Sequence, residues 1–331
     1  MHSYQQDSIT ARIESCRIGL LNWSKKEFGN VSSRINKLEK RIQDLRKGMI
    51  TTNSKAEEMK IRMELDGLKQ DEECMWKQRS RVDWLRNGDK NTSFFHARAS
   101  KRKLINEILR IKDGHGQWRE KEEDMQEVLL NYFSKLFESS KSNTQHIDKI
   151  LECVGRRVND EMNESLNQPY TAEEIKTALN QMRPDKSPGP DGMPALFYQN
   201  FWRIVGPTTI NSILFFLNNG IFPLELNHTY IVLIPKCKKP EHVSQFRPIS
   251  LCNVIYKIAS RVLANRLKPM LDSIISENQS AFIPGRYITD NVLIAFEVNH
   301  YFRNKRKGKE GVATLKLDMS KAYDRVKWAF L

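Results

Sequence analysis

The residue type and position best suited to chemistry is Asp318. It ends a β-type run, Ala313-Thr-Leu-Lys-Leu-Asp318, that leads into Met319-Ser-Lys-Ala-Tyr323-Asp324. Hard cations such as Mg²⁺ take carboxylate oxygens and bridge to substrate phosphates, and a strand end presents such an oxygen rigidly beside a cleft. Two-metal displacement at phosphorus needs at least two carboxylates around the ion pair. Standing alone, a strand-end aspartate is more often the cap of the next helix. A second chemistry is carried by Met75–Lys112, which holds 11 basic and 3 acidic residues. Trp76, Trp84, Phe94 and Phe95 are interleaved with its Arg and Lys side chains, and Lys101, Arg102 and Lys103 form its densest cluster. Such a cluster is either a solvated charged face or a phosphate-binding surface, and the excess of base over acid favours phosphate. His96 and His115 read as surface or turn residues, since no other metal-type residue stands at helical spacing from them. The five cysteines are odd in number and form no CxxC pair, which argues against a disulfide scaffold or a zinc site and for a reducing compartment.

These residues need elements to position them. The chain of 331 residues is 39% apolar, enough for a real core, and carries a net charge of +14, which points to a polyanionic partner. No apolar run approaches the ~18 residues of a membrane span; the longest, Ile213–Leu217, is broken by Asn218, Asn219 and Gly220. The first ten residues lack the apolar core of a secretory signal. Residues 25–50 are expected to form one helix, because Phe28, Val31, Ile35, Leu38, Ile42, Leu45 and Met49 follow a heptad seam. After a polar break at Thr51–Ser54, Ile61, Leu65 and Leu68 form a second stripe. The two stripes suit either a hairpin within the chain or pairing with another chain. Asn87-Gly88-Asp89 marks a turn, Ile105–Ile111 reads as a strand, and Asp113–Gly116 as a hairpin turn. A helix is expected over 122–137, a surface loop over 139–146, and a domain boundary near 165–170. Thr171 and Glu174 make a capping box opening a further helix. Arg183–Pro194 holds four prolines and two glycines and must be irregular. Helices at 195–219 and 248–271, a strand at Tyr230–Ile234 and a last strand at Val312–Asp318 complete the expectation.

Five blocks stand in order along the second half. They are Asp185-Lys-Ser-Pro-Gly-Pro-Asp-Gly-Met-Pro194, Ile234-Pro-Lys236, Phe246-Arg-Pro-Ile-Ser-Leu251, Asn278-Gln-Ser-Ala-Phe-Ile-Pro-Gly-Arg286 and Leu317-Asp-Met-Ser-Lys-Ala-Tyr-Asp324. The series resembles the reverse transcriptase of non-LTR (LINE-type) retrotransposons, particularly those of plants, and Trp76–Ser100 resembles the linker ahead of the polymerase in those elements. The resemblance covers residues 76–331. It implies that Asp318 is the first catalytic aspartate and a Mg²⁺ ligand, with Met319 offering its backbone carbonyl to one metal. It makes Tyr323 the aromatic gate that collides with a sugar 2′-OH, and gives Asp324 a structural role. Lys236 and Arg247 match the finger residues that hold the incoming triphosphate, a task suited to the guanidinium fork. Gln279 and Arg286 match a block beside the template and nascent base pair. The loop Ser187–Gly192 falls in a block near the template path, where glycines permit close backbone approach.

One feature of the family is missing. A second acidic block, Ala-Asp-Asp after an aromatic, lies downstream of the first aspartate in the family, and no Asp-Asp pair occurs in this sequence. The resemblance therefore implies a fragment that lacks the remaining catalytic aspartates, the rest of the palm, the thumb and the endonuclease. The expected fold class is α+β: a helical N-terminal region, then fingers and partial palm of a right-hand polymerase. The expected division is an amphipathic region at 1–75 capable of a coiled coil, a basic linker at 76–165, and fingers with the N-terminal part of the palm at 166–331. The functional expectation is an RNA-directed DNA polymerase segment with Mg²⁺, dNTPs, an RNA template and a DNA primer, inactive alone. The alternative is a non-enzymatic nucleic-acid-binding remnant, and a third is self-association through residues 28–49. Nuclear location is a family expectation, weakly supported by Lys305-Arg306-Lys307 beside Arg303.

Overall fold

The N-terminal heptads break at Gly29. The computed structural model describes residues 9–48, 51–80, 82, 92–139, 144–305, 311, 313–319, 322 and 326. The single helix expected over 25–50 divides into α1 (Ile9–Glu27) and α2 (Val31–Lys47). Gly29 sits at φ +48°, backbone that favours glycine. Asn30 then caps α2, its side chain accepting the Ser33 amide at 3.0 Å. α3 (Thr52–Ser80) runs back along α2. The ion pairs show the antiparallel sense: Arg46 meets Glu58, Arg41 meets Glu57, and Arg34 meets Glu64. Val31, Ile35, Ile42, Leu65 and Leu68 form one buried cluster. α3 thus covers the heptad seam within the chain, the hairpin being one of the two arrangements that the stripes allow.

α4 (Thr92–Asn106) runs into the stretch expected to be strand. Ala97, Arg98, Ala99 and Lys101–Leu104 are strong helix formers and carry the helix past Ile105. The strand expected over Ile105–Ile111 is reduced to β1 (Ile111–Lys112), paired antiparallel with β2 (Trp118–Arg119). The turn between them follows the expectation. Asp113 accepts the amides of His115 and Gln117 at 2.9 and 3.0 Å and holds Arg119 at 2.7 Å, which keeps its carboxyl below the usual range, Arg119 contributing most.

Beyond the hairpin come α5 (Glu122–Phe137), α6 (Thr144–Glu152), α7 (Asp160–Leu166) and α8 (Ala172–Asn180). α5 has the expected limits, whereas α6 begins inside the stretch expected to be loop. The capping box of α8 forms: Thr171 accepts the Glu174 amide and Glu174 accepts the Thr171 amide. The helix expected over 195–219 is broken at Phe201 into α9 (Ala195–Asn200) and α10 (Trp202–Asn219), with Pro207 inside α10. α11 (Leu224–Asn227) precedes β3 (Tyr230–Pro235), which pairs antiparallel with β4 (Phe246–Leu251). Residues 248–251 are therefore strand and not the expected helix; β3 needs a partner for its backbone amides and carbonyls, and this segment supplies it. The remaining elements are α12 (Val254–Leu267), α13 (Leu271–Ile274) and α14 (Ile288–Asn304).

The last strand does not form. Residues 313–319 have no regular structure, and Leu315 and Leu317 are exposed. Among the described residues the only ladders are β1–β2 and β3–β4. An extended run without a neighbour leaves its amides and carbonyls to water, and strand geometry gains nothing.

The chain divides into two compact units: Met1–Glu120 with Arg183–Thr209 and Phe222–Val254, and Lys121–Met182 with Ile210–Ile221 and Ile255–Leu331. The first buries Phe95, Ile111, Tyr198 and Phe246; the second buries Ile175, Leu179, Ile213, Ile255, Ile258 and Val262. The molecule is helix-rich with small sheets. No helix among the described residues is long and apolar enough to cross a membrane.

Candidate nucleic-acid interface

Helical spacing selects which cations of the basic block act together. Arg98, Lys101, Arg102 and Ile105 stand at i, i+3, i+4 and i+7 on α4, one face of a helix. These residues line a cavity of about 550 Å³. Lys103 lies one residue past that face and does not line it. The opposite wall comes from the Asp185–Ser187 segment, which brings in Lys186. Lys101 and Arg102 thus line one cavity together. Arg98 and Lys186 are additions that sequence reasoning missed. The i, i+3, i+4 spacing would have found Arg98; nothing local marks Lys186.

The glycines of the Ser187–Gly192 loop serve the protein's own packing. A Cβ on Gly189 would stand 2.5 Å from the Asn253 amide nitrogen and 2.6 Å from the Cys252 carbonyl carbon, so only glycine fits there. Asn253, buried just after β4, accepts the Asp191 amide at 3.2 Å and donates to the Leu226 carbonyl at 3.1 Å. Gly192, at φ +72°, completes the turn. Close by, burial pushes the Tyr198 phenol far above its ordinary pKa, with Asp191 adding to the effect.

Lys236 and Arg247 sit on the β3–β4 hairpin. Ile234 lies opposite Arg247, and Pro235 opposite the buried Phe246. The two-residue period of the pleat would carry Lys236 onto the face of Ile234, the face its partner Arg247 shares. The Lys236 amide donates to Gln245 at 2.8 Å, and its ammonium donates to the Ser244 carbonyl at 2.9 Å. Arg247 is exposed. The connection between the strands is anchored by Lys112, whose amide and ammonium both bond Glu241, at 2.8 and 2.6 Å.

The second unit holds Gln279, Arg286 and Asp318. Arg286 is turned inward, its side chain 15% exposed. Its guanidinium donates to Asp272 Oδ1 at 2.8 Å and to the carbonyls of Ser276 and Gln279 at 2.6 and 2.9 Å. Gln279 donates to the Ala281 carbonyl at 3.3 Å. The loop that Arg286 ties down displays Phe282, which is 97% exposed and held at φ +67°. A non-glycine residue in this region carries strain of about 1–2 kcal/mol, so the surroundings impose this display, which the sequence does not reveal. Asp318 and Met319 are exposed. Tyr323, Asp324, Trp84, Asn87–Asp89, Arg306 and Lys307 lie outside the described residues. No three His, Cys, Asp or Glu side chains gather to hold a metal ion among the described residues. One exposed carboxylate and a neighbouring carbonyl do not by themselves make a Mg²⁺ pair site.

Residues 234–331 match the family described as reverse transcriptase (RNA-dependent DNA polymerase). That span contains Lys236, Arg247, Gln279, Arg286 and Asp318. The transposon TX1 149 kDa protein of Xenopus laevis is 30% identical over 253 residues, which are 76% of this chain and 19% of that protein. The Pol polyprotein of a type-1 R2 retrotransposable element of Popillia japonica is 28% identical over 48% of this chain and 21% of its own length. An RNA-directed DNA polymerase from transposon BS of Drosophila melanogaster is 28% identical, over 48% of this chain and 17% of its own length. The chain thus spans about a fifth of the curated relatives it matches. Residues 234–331 are reverse transcriptase domain sequence of the non-LTR retrotransposon kind.

Proposed function

We propose that these residues bind RNA template and deoxynucleoside triphosphate as the fingers and first part of the palm of a LINE-type RNA-directed DNA polymerase. The observation that carries this reading is the match over 234–331, which includes Lys236, Arg247 and the whole of β4. Those two cations are assigned to the triphosphate. Asp318 and the Met319 carbonyl are assigned to Mg²⁺, which would supply charge neutralisation at the phosphates, and Tyr323 to exclusion of the 2′-OH. Gln279 is assigned to the template; Arg286 acts by holding that loop, with Phe282 offering a face for base stacking. The assigned regions are 1–75 as an amphipathic helical region, 76–165 as the basic linker ahead of the polymerase, and 166–331 as fingers and the N-terminal part of the palm. A DNA primer is the second substrate, and the nucleus is the expected place of action.

With no Asp-Asp pair among these 331 residues, they are expected to bind without extending. Primer extension on an RNA template with Mg²⁺, beside Asp318→Ala, tests this. Retained template with no extension from either supports the binding-only role. Extension that Asp318→Ala abolishes would replace it with polymerase activity of these residues alone. Self-association through residues 28–49 is the second reading. It has the covered seam of Val31, Ile35 and Ile42 against it, and a dimer in sedimentation of the full chain that Ile35→Asp dissolves would reinstate it.

A further inference from the structure

We propose that the cavity between α4 and the Asp185–Ser187 segment is a phosphate-binding site for the backbone of single-stranded RNA. Among the described residues, four cations, Arg98, Lys101, Arg102 and Lys186, line it against one carboxylate, Asp185. None of the four makes an ion pair among the described residues. Elsewhere in the same unit, on α2 and α3, four arginines and a lysine are paired: Arg34, Arg41, Arg46, Arg62 and Lys69 each meet a glutamate. Like charges facing one cavity repel one another, and an anion in the cavity relieves that repulsion. Two arginines add the planar fork that grips phosphate oxygens. At about 550 Å³ the cavity is of ordinary ligand size. It is concave, which suits one strand passing its phosphates inward; a duplex presents two rows of phosphate on a convex surface. Ile105, 56% exposed on the same wall, gives a base an apolar contact.

The site lies outside the residues assigned to nucleotide and metal. The choice of RNA as the strand rests on the reverse transcriptase reading; the anion chemistry does not. The site also separates Lys103 from its neighbours, since a diffuse basic face would use Lys103 as fully as Lys101.

Fluorescence anisotropy of a labelled short oligoribonucleotide with the full chain, over a salt series, tests the proposal. Each phosphate contact contributes ~0.7 to the slope of log K against log salt. The double substitution Arg98→Gln with Lys186→Gln is expected to weaken binding about tenfold and to lower that slope by about 1.4. Lys103→Gln is expected to do much less, and circular dichroism of both should match the parent. Equal losses in the two proteins would overturn the cavity in favour of a diffuse face. Unchanged binding in the double variant, with the parent binding RNA, would overturn it outright. Displacement of the RNA by an equal phosphate concentration of free UTP would reassign the site to nucleotide. A parent chain with no RNA binding would sink both this site and the RNA-template reading, whereas loss of the cavity effect alone leaves that reading standing.

Discussion

Arginine does opposite work in two regions. Around α4, Arg98, Lys101 and Arg102 face a cavity and make no ion pair among the described residues. At the α8–α12 contact, Arg266 is consumed by the protein. Its side chain is 12% exposed and forks onto both Glu174 oxygens at 2.6 and 2.9 Å. It donates to the Leu166, Gln168 and Pro169 carbonyls as well, and its guanidinium carbon stands 3.8 Å from the Tyr170 ring centroid. One side chain thereby closes the α7–α8 connection onto α12. Arg286 plays the same part in the loop after α13. The comparison teaches that charge count does not locate a binding surface: an arginine saturated by carbonyls has no donors left for phosphate.

The comparison is broken most severely at Arg266. Arg266→Ala should destabilise the chain by about 3 kcal/mol in urea unfolding, because it strands a half-buried carboxylate and several carbonyls. A change under half that would mean the clamp is ornamental. Arg286→Ala should cost about 1–2 kcal/mol, less because its acid partner Asp272 is 77% exposed; faster proteolysis between residues 272 and 286 is the local readout. Glu174 sharpens the comparison through pH. Its hydrogen bond with Arg266 lowers its carboxyl below the ordinary 4.5. A depressed folded-state pKa contributes stability that is present above 4.5 and lost as pH falls through the folded value. Glu174→Gln should therefore flatten the acid limb of the stability profile below pH 4.5; an unchanged limb rules out the linkage. The smallest effect belongs to the cavity. Arg98→Gln with Lys186→Gln should shift stability by less than about 0.5 kcal/mol, and a larger loss would make those cations structural after all.

Local patterns were readable where the physics is local. The Thr171–Glu174 capping box, α5, and the turn at Asp113 need only neighbouring residues, and each stands where its residues place it. The errors fall where a partner distant in sequence decides. Phe246–Leu251 became a strand because β3 lacked a ladder. Val312–Asp318 has the composition of a strand but no neighbour among the described residues. The split of the heptads at Gly29 is the exception, since Gly29 at φ +48° and the Asn30 cap are both local. The glycines of the Ser187–Gly192 loop were readable as close-approach residues, but what approaches Gly189 is Asn253, from beyond β4.

The sequence by itself carried the likeness to reverse transcriptases, through ordered blocks along its second half, and it determined the excess of positive charge. Tertiary structure decided how that charge is used. Arg98, Lys101, Arg102 and Lys186 converge because a helix face and a proline-rich loop meet across some eighty residues of chain. Arg286 is withdrawn because the carbonyls after α13 turn toward it. A guanidinium is a donor fork in either place, and only folding places either a carbonyl or an open cavity in front of it.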